Sequence, residues 1–165
     1  MTETDNVHRL TTVTLGDHRA EVDEQLAPLI AALWSNGFET VSCCQDLGES
    51  LAAMVESKPH MASYVQAHRG WALVDFPIGD GLAFLTAIAR AGPRDDFYER
   101  MTYWAFPDAW DINIKPMDEA LFDYRLPSRF GLHLLQVSFP LQDLDEIQER
   151  LECYDAGDLV VSGPP

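Results

Sequence analysis

The sequence contains few cysteines and no long apolar run. Its 165 residues include three cysteines, and two of them, Cys43 and Cys44, are adjacent and so poorly placed to bridge each other. Reduced thiols are therefore expected. The longest uncharged apolar stretches, 26–34 and 81–89, are too short to span a bilayer, and the first ten residues lack the pattern of a signal peptide. We therefore expect a cytoplasmic protein with no membrane association.

Positive charge is also scarce. The chain has 11 Lys and Arg residues against 27 Asp and Glu residues, a formal net charge of -16. Such a surface repels phosphate backbones, and no run of basic residues offers a local phosphate-binding stripe. We therefore expect no direct binding to nucleic acid.

Standard catalytic and cofactor motifs are missing. There is no Gly-rich phosphate loop, no Gly-x-Ser-x-Gly, no Cys-x-x-Cys and no pair of histidines three to five residues apart. For that reason His60, His68 and His133 are not expected to gather with cysteines around zinc. The sequence predicts neither a metal nor a resident cofactor.

The composition is that of a single folded domain. Hydrophobic residues make up 47% of the chain and charged residues 23%, which is enough apolar surface for a packed core. We expect residues 10–154 to form one domain, flanked by a disordered polar segment, 1–9, and a disordered tail, 155–165.

Helical and strand patterns alternate along the chain. Residues 10–15 predict a short strand, residues 22–34 a helix with an apolar stripe, and residues 38–43 a strand. Asp23 is a candidate N-cap of that helix and Gly37 its stop signal, although Pro28 would fit the first turn better if the regular helix began nearer Gln25. The fold class predicted is α+β, with a mixed sheet of five to seven strands and helices packed mostly on one face.

A short motif occurs twice. The stretches from Val74 to Asp80 and from Val137 to Asp143 share Val-x-Phe-Pro-x-x-Asp. Each copy predicts a strand, a Pro turn and an Asp-capped helix, and hence two related strand–helix units. A chance match and an internal duplication both remain open, because only four residues are shared.

The most unusual local sequence is Ser-Cys-Cys-Gln-Asp at residues 42–46. It follows a predicted buried strand, a position at which folds with helices and strands commonly expose functional groups. Ser42, Cys43, Gln45 and Asp46 are therefore candidate ligand-binding residues. The simpler interpretation is that one of the two thiols only fills core volume.

Asp17 and His18 complete the candidate site. If residues 22–34 form one helix and the chain returns at Gly37, the loop before the helix and the loop after the next strand emerge at the same end of the domain. His18 would then lie close enough to Cys43 to lower the pKa of its thiol. Alternatively, the acidic residues around His18 form a solvated first helical turn.

Aromatic side chains concentrate in one stretch. Residues 101–106 and 110–117 predict a hairpin that carries Tyr103, Trp104 and Trp110. These rings either belong to the core or, if the hairpin protrudes, form an anchor patch for a partner or a planar ligand.

The N-terminal half resembles the tRNA wybutosine-synthesising methyltransferases. The resemblance rests on Asp17, on Val-Asp-Glu at 22–24, on Thr-x-Ser-Cys at 40–43 and on Trp71, which opens a later apolar strand. It covers less than a quarter of the chain. It implies an α/β layer fold with a site near Ser42 and Cys43. It also implies an enzyme that acts on tRNA and uses S-adenosylmethionine as its cofactor. Where that family continues with Ser-Gly-Arg, this chain has Cys-Gln-Asp at 44–46.

Three functions follow from these observations. The first is a small acidic cytosolic binding or regulatory module that recognises a protein partner or a small ligand. The second is an enzyme whose pocket includes residues 42–46, with S-adenosylmethionine as the resemblance implies. The third is an acidic mimic of nucleic acid that occupies the basic site of another protein.

Overall fold

The structure, a computed structural model, describes residues 8–116 and 133–155. The helices and strands of this part are, in chain order, β1 (Leu10–Leu15), β2 (His18–Asp23), α1 (Ala27–Ser35), β3 (Ser42–Cys44), α2 (Leu47–Ser50), α3 (Met54–Ser57), α4 (Ala62–Ala67), β4 (Trp71–Pro77), α5 (Ile78–Arg90), α6 (Asp96–Thr102), β5 (Asp111–Pro116), β6 (His133–Pro140) and α7 (Leu144–Asp155). Short 3-10 turns at 24–26, 59–61 and 141–143 precede α1, α4 and α7. Within the described ranges, no helix is long and apolar enough to cross a membrane.

The strands form two sheets. β1 and β2 make a hairpin, and the other four strands form a sheet in the order β3-β4-β6-β5. The α+β class is confirmed. Every ladder in the described part is antiparallel, so the expected mixed sheet has no parallel pair there. Each strand of the sheet runs in the direction opposite to its neighbours, which gives antiparallel ladders throughout.

The core lies between the four-stranded sheet and three helices. Helix α7 packs against both α1 and α5, and α5 also packs on β4 and β6. Alternate residues of the two central strands face these helices, and the pairs Ala72–Phe139, Val74–Val137 and Phe76–Leu135 are almost fully buried. Each of the larger side chains contributes roughly 2–3 kcal/mol by leaving water.

The predicted helix over residues 22–34 begins later than expected. Residues 18–23 are strand β2, which pairs with β1 across the turn at Gly16, where φ is +57°. Helix α1 starts at Ala27 and carries Pro28 in its first turn. Because proline lacks an N–H and crowds the preceding turn, it fits the start of a helix and not its interior.

The two copies of the repeated motif are neighbours in the sheet. β4 and β6 pair antiparallel, and the register places Val74 of the first copy opposite Val137 of the second. A helix follows each strand, as predicted. Neither aspartate caps its helix: Asp80 accepts a hydrogen bond from the backbone N–H of Glu39, and Asp143 accepts one from Trp110 Nε1. This local two-fold arrangement agrees with both a duplication and a chance match.

A buried arginine ties α7 to the connection between α5 and α6. Arg150 donates to Glu146 on its own helix, to the carboxylate of Asp95 and to the carbonyl oxygens of Ile88 and Pro93. Its guanidinium also lies over the ring of Phe97, 4.3 Å from the centroid. These contacts satisfy a cation that would otherwise be costly to bury.

The predicted hairpin around residue 107 is wrong in its first arm. Residues 96–102 form α6, whose N-cap Asp95 accepts a hydrogen bond from the backbone N–H of Tyr98. Helix α6 therefore takes the first two residues of the predicted arm, and residues 103–106 after it form no strand. Residues 1–7 and 156–165 lie outside the described part, so the disorder predicted there stays a prediction.

Candidate functional site

The strand-end segment, residues 42–46, runs through β3 into the N-terminus of α2. Each of its five residues makes a specific contact with another part of the domain. Successive side chains of a strand point to opposite faces, so the segment divides its chemistry between the two faces of the sheet.

Ser42 belongs to a polar network on the face away from α5. Its hydroxyl donates to Asp75 Oδ2 at 2.7 Å, and Gln136 Nε2 donates to Asp75 Oδ1 at 3.0 Å. Lys115 Nζ lies 3.6 Å from the same carboxylate, which is only 8% exposed. Side chains from three strands, Ser42, Gln136 and the cation Lys115, thus hold the Asp75 carboxylate. These contacts explain how a carboxylate can lie in the centre of the sheet.

Cys43 faces the core. It pairs with Val74 on β4 and packs against the main hydrophobic cluster. Burial raises the pKa of the Cys43 thiol to about 11, with the nearby carboxylates of Asp23 and Asp75 acting in the same direction. The expected lowering of this pKa by His18 is therefore wrong, and the thiol stays protonated at neutral pH.

Gln45 and Asp46 hold the segment in place. The backbone N–H of Gln45 donates to Asp23 Oδ2 at 2.8 Å. Asp46 is the N-cap of α2: its Oδ1 accepts from the backbone N–H of Glu49 and its Oδ2 from that of Gly70, both at 2.9 Å. Both residues have structural contacts that account for their position.

Asp17 and His18 lie at the other end of β2. Asp17 is in the turn of the hairpin, and His18 has Glu39 and Trp34 as neighbours, with Nε2 3.5 Å from Glu39 Oε1. Five residues of extended strand, about 17 Å, separate His18 from Asp23. It is Asp23 that borders the strand-end segment, because the predicted loop before the helix is itself a strand.

A three-residue cluster that the sequence did not predict lies beside this segment. His8, Asp23 and Cys44 each offer one ligand atom, and these atoms lie within 4.8 Å of one another. Ser50 Oγ is 3.0 Å from both His8 Nε2 and Cys44 Sγ. We call His8, Asp23 and Cys44 the strand-end triad.

The triad is a half-buried, acidic site in which only Asp23 is buried as a whole residue. Burial raises the pKa of the Cys44 thiol, and the charges of Asp23 and Asp46 add to the effect. The side chain of His8 is 6% exposed. Sequence analysis missed His8 because it assigned residues 1–9 to a disordered end; an isolated imidazole before a strand gives no pattern to find.

A second candidate surface is the pair Tyr103 and Trp104, between α6 and β5. Trp104 is 87% exposed and Tyr103 is 53% exposed, whereas Trp110 is buried against Phe97 and Phe139. The aromatic stretch therefore divides into a core residue and an exposed pair.

No protein-family model, curated protein or solved structure matches this chain. The resemblance to the wybutosine-synthesising methyltransferases stays a prediction, and the functional argument depends on the chain's own residues.

Proposed function

We propose that this chain is an acidic binding module that docks onto a basic surface of a partner protein, with Trp104 as the main anchor. The observation that carries the proposal is the exposure of Trp104, an 87% exposed tryptophan beside a 53% exposed tyrosine. Tryptophan and tyrosine are enriched among the residues that dominate binding energy at protein interfaces.

Backbone hydrogen bonds hold the loop that carries this pair. The N–H of Phe106 donates to the carbonyl of Tyr103 at 2.9 Å, and the N–H of Trp110 donates to that of Arg100 at 2.8 Å. Arg100 in turn forms an ion pair with Asp143 at the start of α7. A loop held in this way presents its side chains with a smaller entropy cost on binding.

The charge around the pair points to a basic partner. Asp96, Glu99 and Asp108 are exposed on the same stretch of chain, and the charge of Arg100 is neutralised by Asp143. The chain as a whole carries a formal charge of -16. Complementary charge accelerates association and disfavours acidic partners.

Site-specific photo-cross-linking tests the proposal. A photoreactive phenylalanine analogue replaces Trp104 in cells that produce the protein, with the same analogue at Leu82, an exposed residue of α5, as the control. We expect a cross-link from position 104 to a protein with a basic surface and none to that protein from position 82. Equal cross-linking from both positions, or from neither, contradicts the proposal.

Measurements with the purified partner complete the test. Trp104→Ala should weaken the affinity at least tenfold, since an anchor of this kind contributes about 2 kcal/mol or more. Leu82→Ala should leave the affinity unchanged. The affinity should also fall as salt rises from low to physiological concentration, because the attraction is electrostatic. An affinity unaffected by Trp104→Ala would show that another surface binds.

A further inference from the structure

We propose that the strand-end triad, His8, Asp23 and Cys44, binds a zinc ion. Zinc bonds to sulfur at about 2.3 Å and to nitrogen or oxygen at about 2.0–2.2 Å, so the ligand atoms of a tetrahedral site lie roughly 3–4 Å apart. The triad's ligand atoms already lie within 4.8 Å of one another. To close the site, the ligand atoms would have to approach one another by no more than roughly 1–2 Å. This inference is independent of the partner surface at Trp104.

The three ligands come from parts of the chain that the fold fixes. His8 precedes β1, Asp23 ends β2 and Cys44 ends β3. The backbone N–H of Gln45 holds Asp23 Oδ2, and no hydrogen bond from a described residue reaches Oδ1. That oxygen is therefore available to a metal, while the carboxylate stays oriented.

The charge balance at Asp23 also favours a cation. This residue is 8% exposed, and no Lys or Arg of the described ranges lies within ion-pair distance of its carboxylate. A buried carboxylate ordinarily has a charged partner or a metal. A divalent ion would neutralise both Asp23 and the Cys44 thiolate that forms when the metal displaces the proton.

His8 Nε2 forms a hydrogen bond with Ser50 Oγ that a bound zinc ion would replace, and the other ring nitrogen faces a carboxylate. His8 Nε2 lies on the side of Ser50 and Cys44, and Nδ1 lies 3.8 Å from Glu49 Oε2. A histidine that binds zinc usually directs its other ring nitrogen to a carboxylate. We therefore assign Nε2 as the ligand and Glu49 as the residue that orients the ring.

The ligand set selects the class of metal. Thiolate and imidazole suit zinc and its neighbours among the transition metals, whereas magnesium and calcium prefer oxygen ligands. Three protein ligands leave a fourth position for water or an incoming ligand. Metal binding would join the residues before β1 to the strand-end segment.

The experiment uses the full chain without a polyhistidine tag, stripped of metal with a chelator and titrated with Co²⁺ and then Zn²⁺. We expect equimolar cobalt binding with a thiolate-to-cobalt charge-transfer band in the near ultraviolet and visible bands of tetrahedral cobalt. Zinc should displace the cobalt and raise Tm. Absence of metal binding at micromolar concentration would overturn the proposal.

Matched variants locate the site. Cys44→Ser should abolish the charge-transfer band, and Cys43→Ser and Cys153→Ser should keep it. His8→Ala should weaken cobalt binding at least tenfold, whereas His60→Ala should not change it. His8 lies before the first strand, so its variant tests the site without altering the core. A band that survives Cys44→Ser, or cobalt binding that is equal in His8→Ala and His60→Ala, would overturn the assignment.

Discussion

Cys43 and Cys44 are adjacent in sequence but lie on opposite faces of β3, and this alternation gives them different chemistry. Cys43 packs in the core beside Val74, and Cys44 approaches Ser50 and His8. The sequence located this pair as the centre of a candidate site. It could not tell which thiol faced the core, because the strand was expected to begin at residue 38 and its register with β4 depends on residues 30 positions away.

The raised pKa of Cys43, about 11, predicts slow alkylation. At neutral pH such a thiol has roughly one hundredth of the thiolate of a thiol with the ordinary value. In metal-free native protein, iodoacetamide should modify Cys43 at least tenfold more slowly than in protein unfolded with urea. Peptide mass spectrometry measures both rates, and the native rate should rise steadily between pH 7 and pH 9.5.

A Cys43→Ala protein provides the control that identifies the labelled Cys43 peptide. Rapid labelling of Cys43 in the native protein, ahead of both Cys44 and Cys153, would contradict the core position and restore the sequence prediction of a reactive thiol.

The sequence patterns predicted helices and strands correctly where the apolar pattern and the turn residues indicated the same boundaries. The bounds of β1 match the prediction, and the repeated motif predicted β4 and the helix that follows it. The start of α1 was missed, because the apolar stripe of residues 22–34 continues through a strand and a 3-10 turn. An apolar residue every three or four positions also arises by chance where a strand meets a helix.

Helix α5 lies close to the sheet at Gly81, and this contact can be tested by mutation. A Cβ at Gly81 would lie 2.7 Å and 2.9 Å from side-chain atoms of Leu135. Gly81→Ala should therefore lower the free energy of unfolding by about 1–3 kcal/mol, although alanine has the better helix propensity. Urea unfolding monitored by circular dichroism measures the change.

Leu82→Ala is the control on the next residue of α5, where the side chain is exposed. It should change the free energy of unfolding by no more than about 0.5 kcal/mol. If Gly81→Ala were more stable than the natural chain, helix propensity would outweigh the contact with Leu135, and the packing of α5 on β6 would be looser than the distances indicate.

For the whole molecule, the alternation of helix and strand patterns predicted the class of fold but not its topology. The α+β class follows from alternating patterns, whereas the order β3-β4-β6-β5 depends on pairing between distant segments. The strand-end triad illustrates the same limit, since His8 meets Ser50 across 42 positions of sequence. No local periodicity encodes such a contact.

The charge of the whole chain, -16, predicts that it does not bind nucleic acid. Gel-shift assays with duplex DNA and with tRNA at physiological salt should show no complex at micromolar protein, while a basic protein at equal concentration shifts both. A salt-sensitive complex with tRNA would instead support the methyltransferase resemblance.

The pairing of β4 with β6 has a consequence for synthesis of the chain. The two central strands are separated by more than fifty residues, and α7, which follows β6, packs against α1 near the opposite end of the sequence. During translation, β4 leaves the ribosome soon after β3 and just before α5, but long before β6, its neighbour on the other side. The core can therefore be completed only after β6 and α7 have left the ribosome, and the interval favours association with a chaperone.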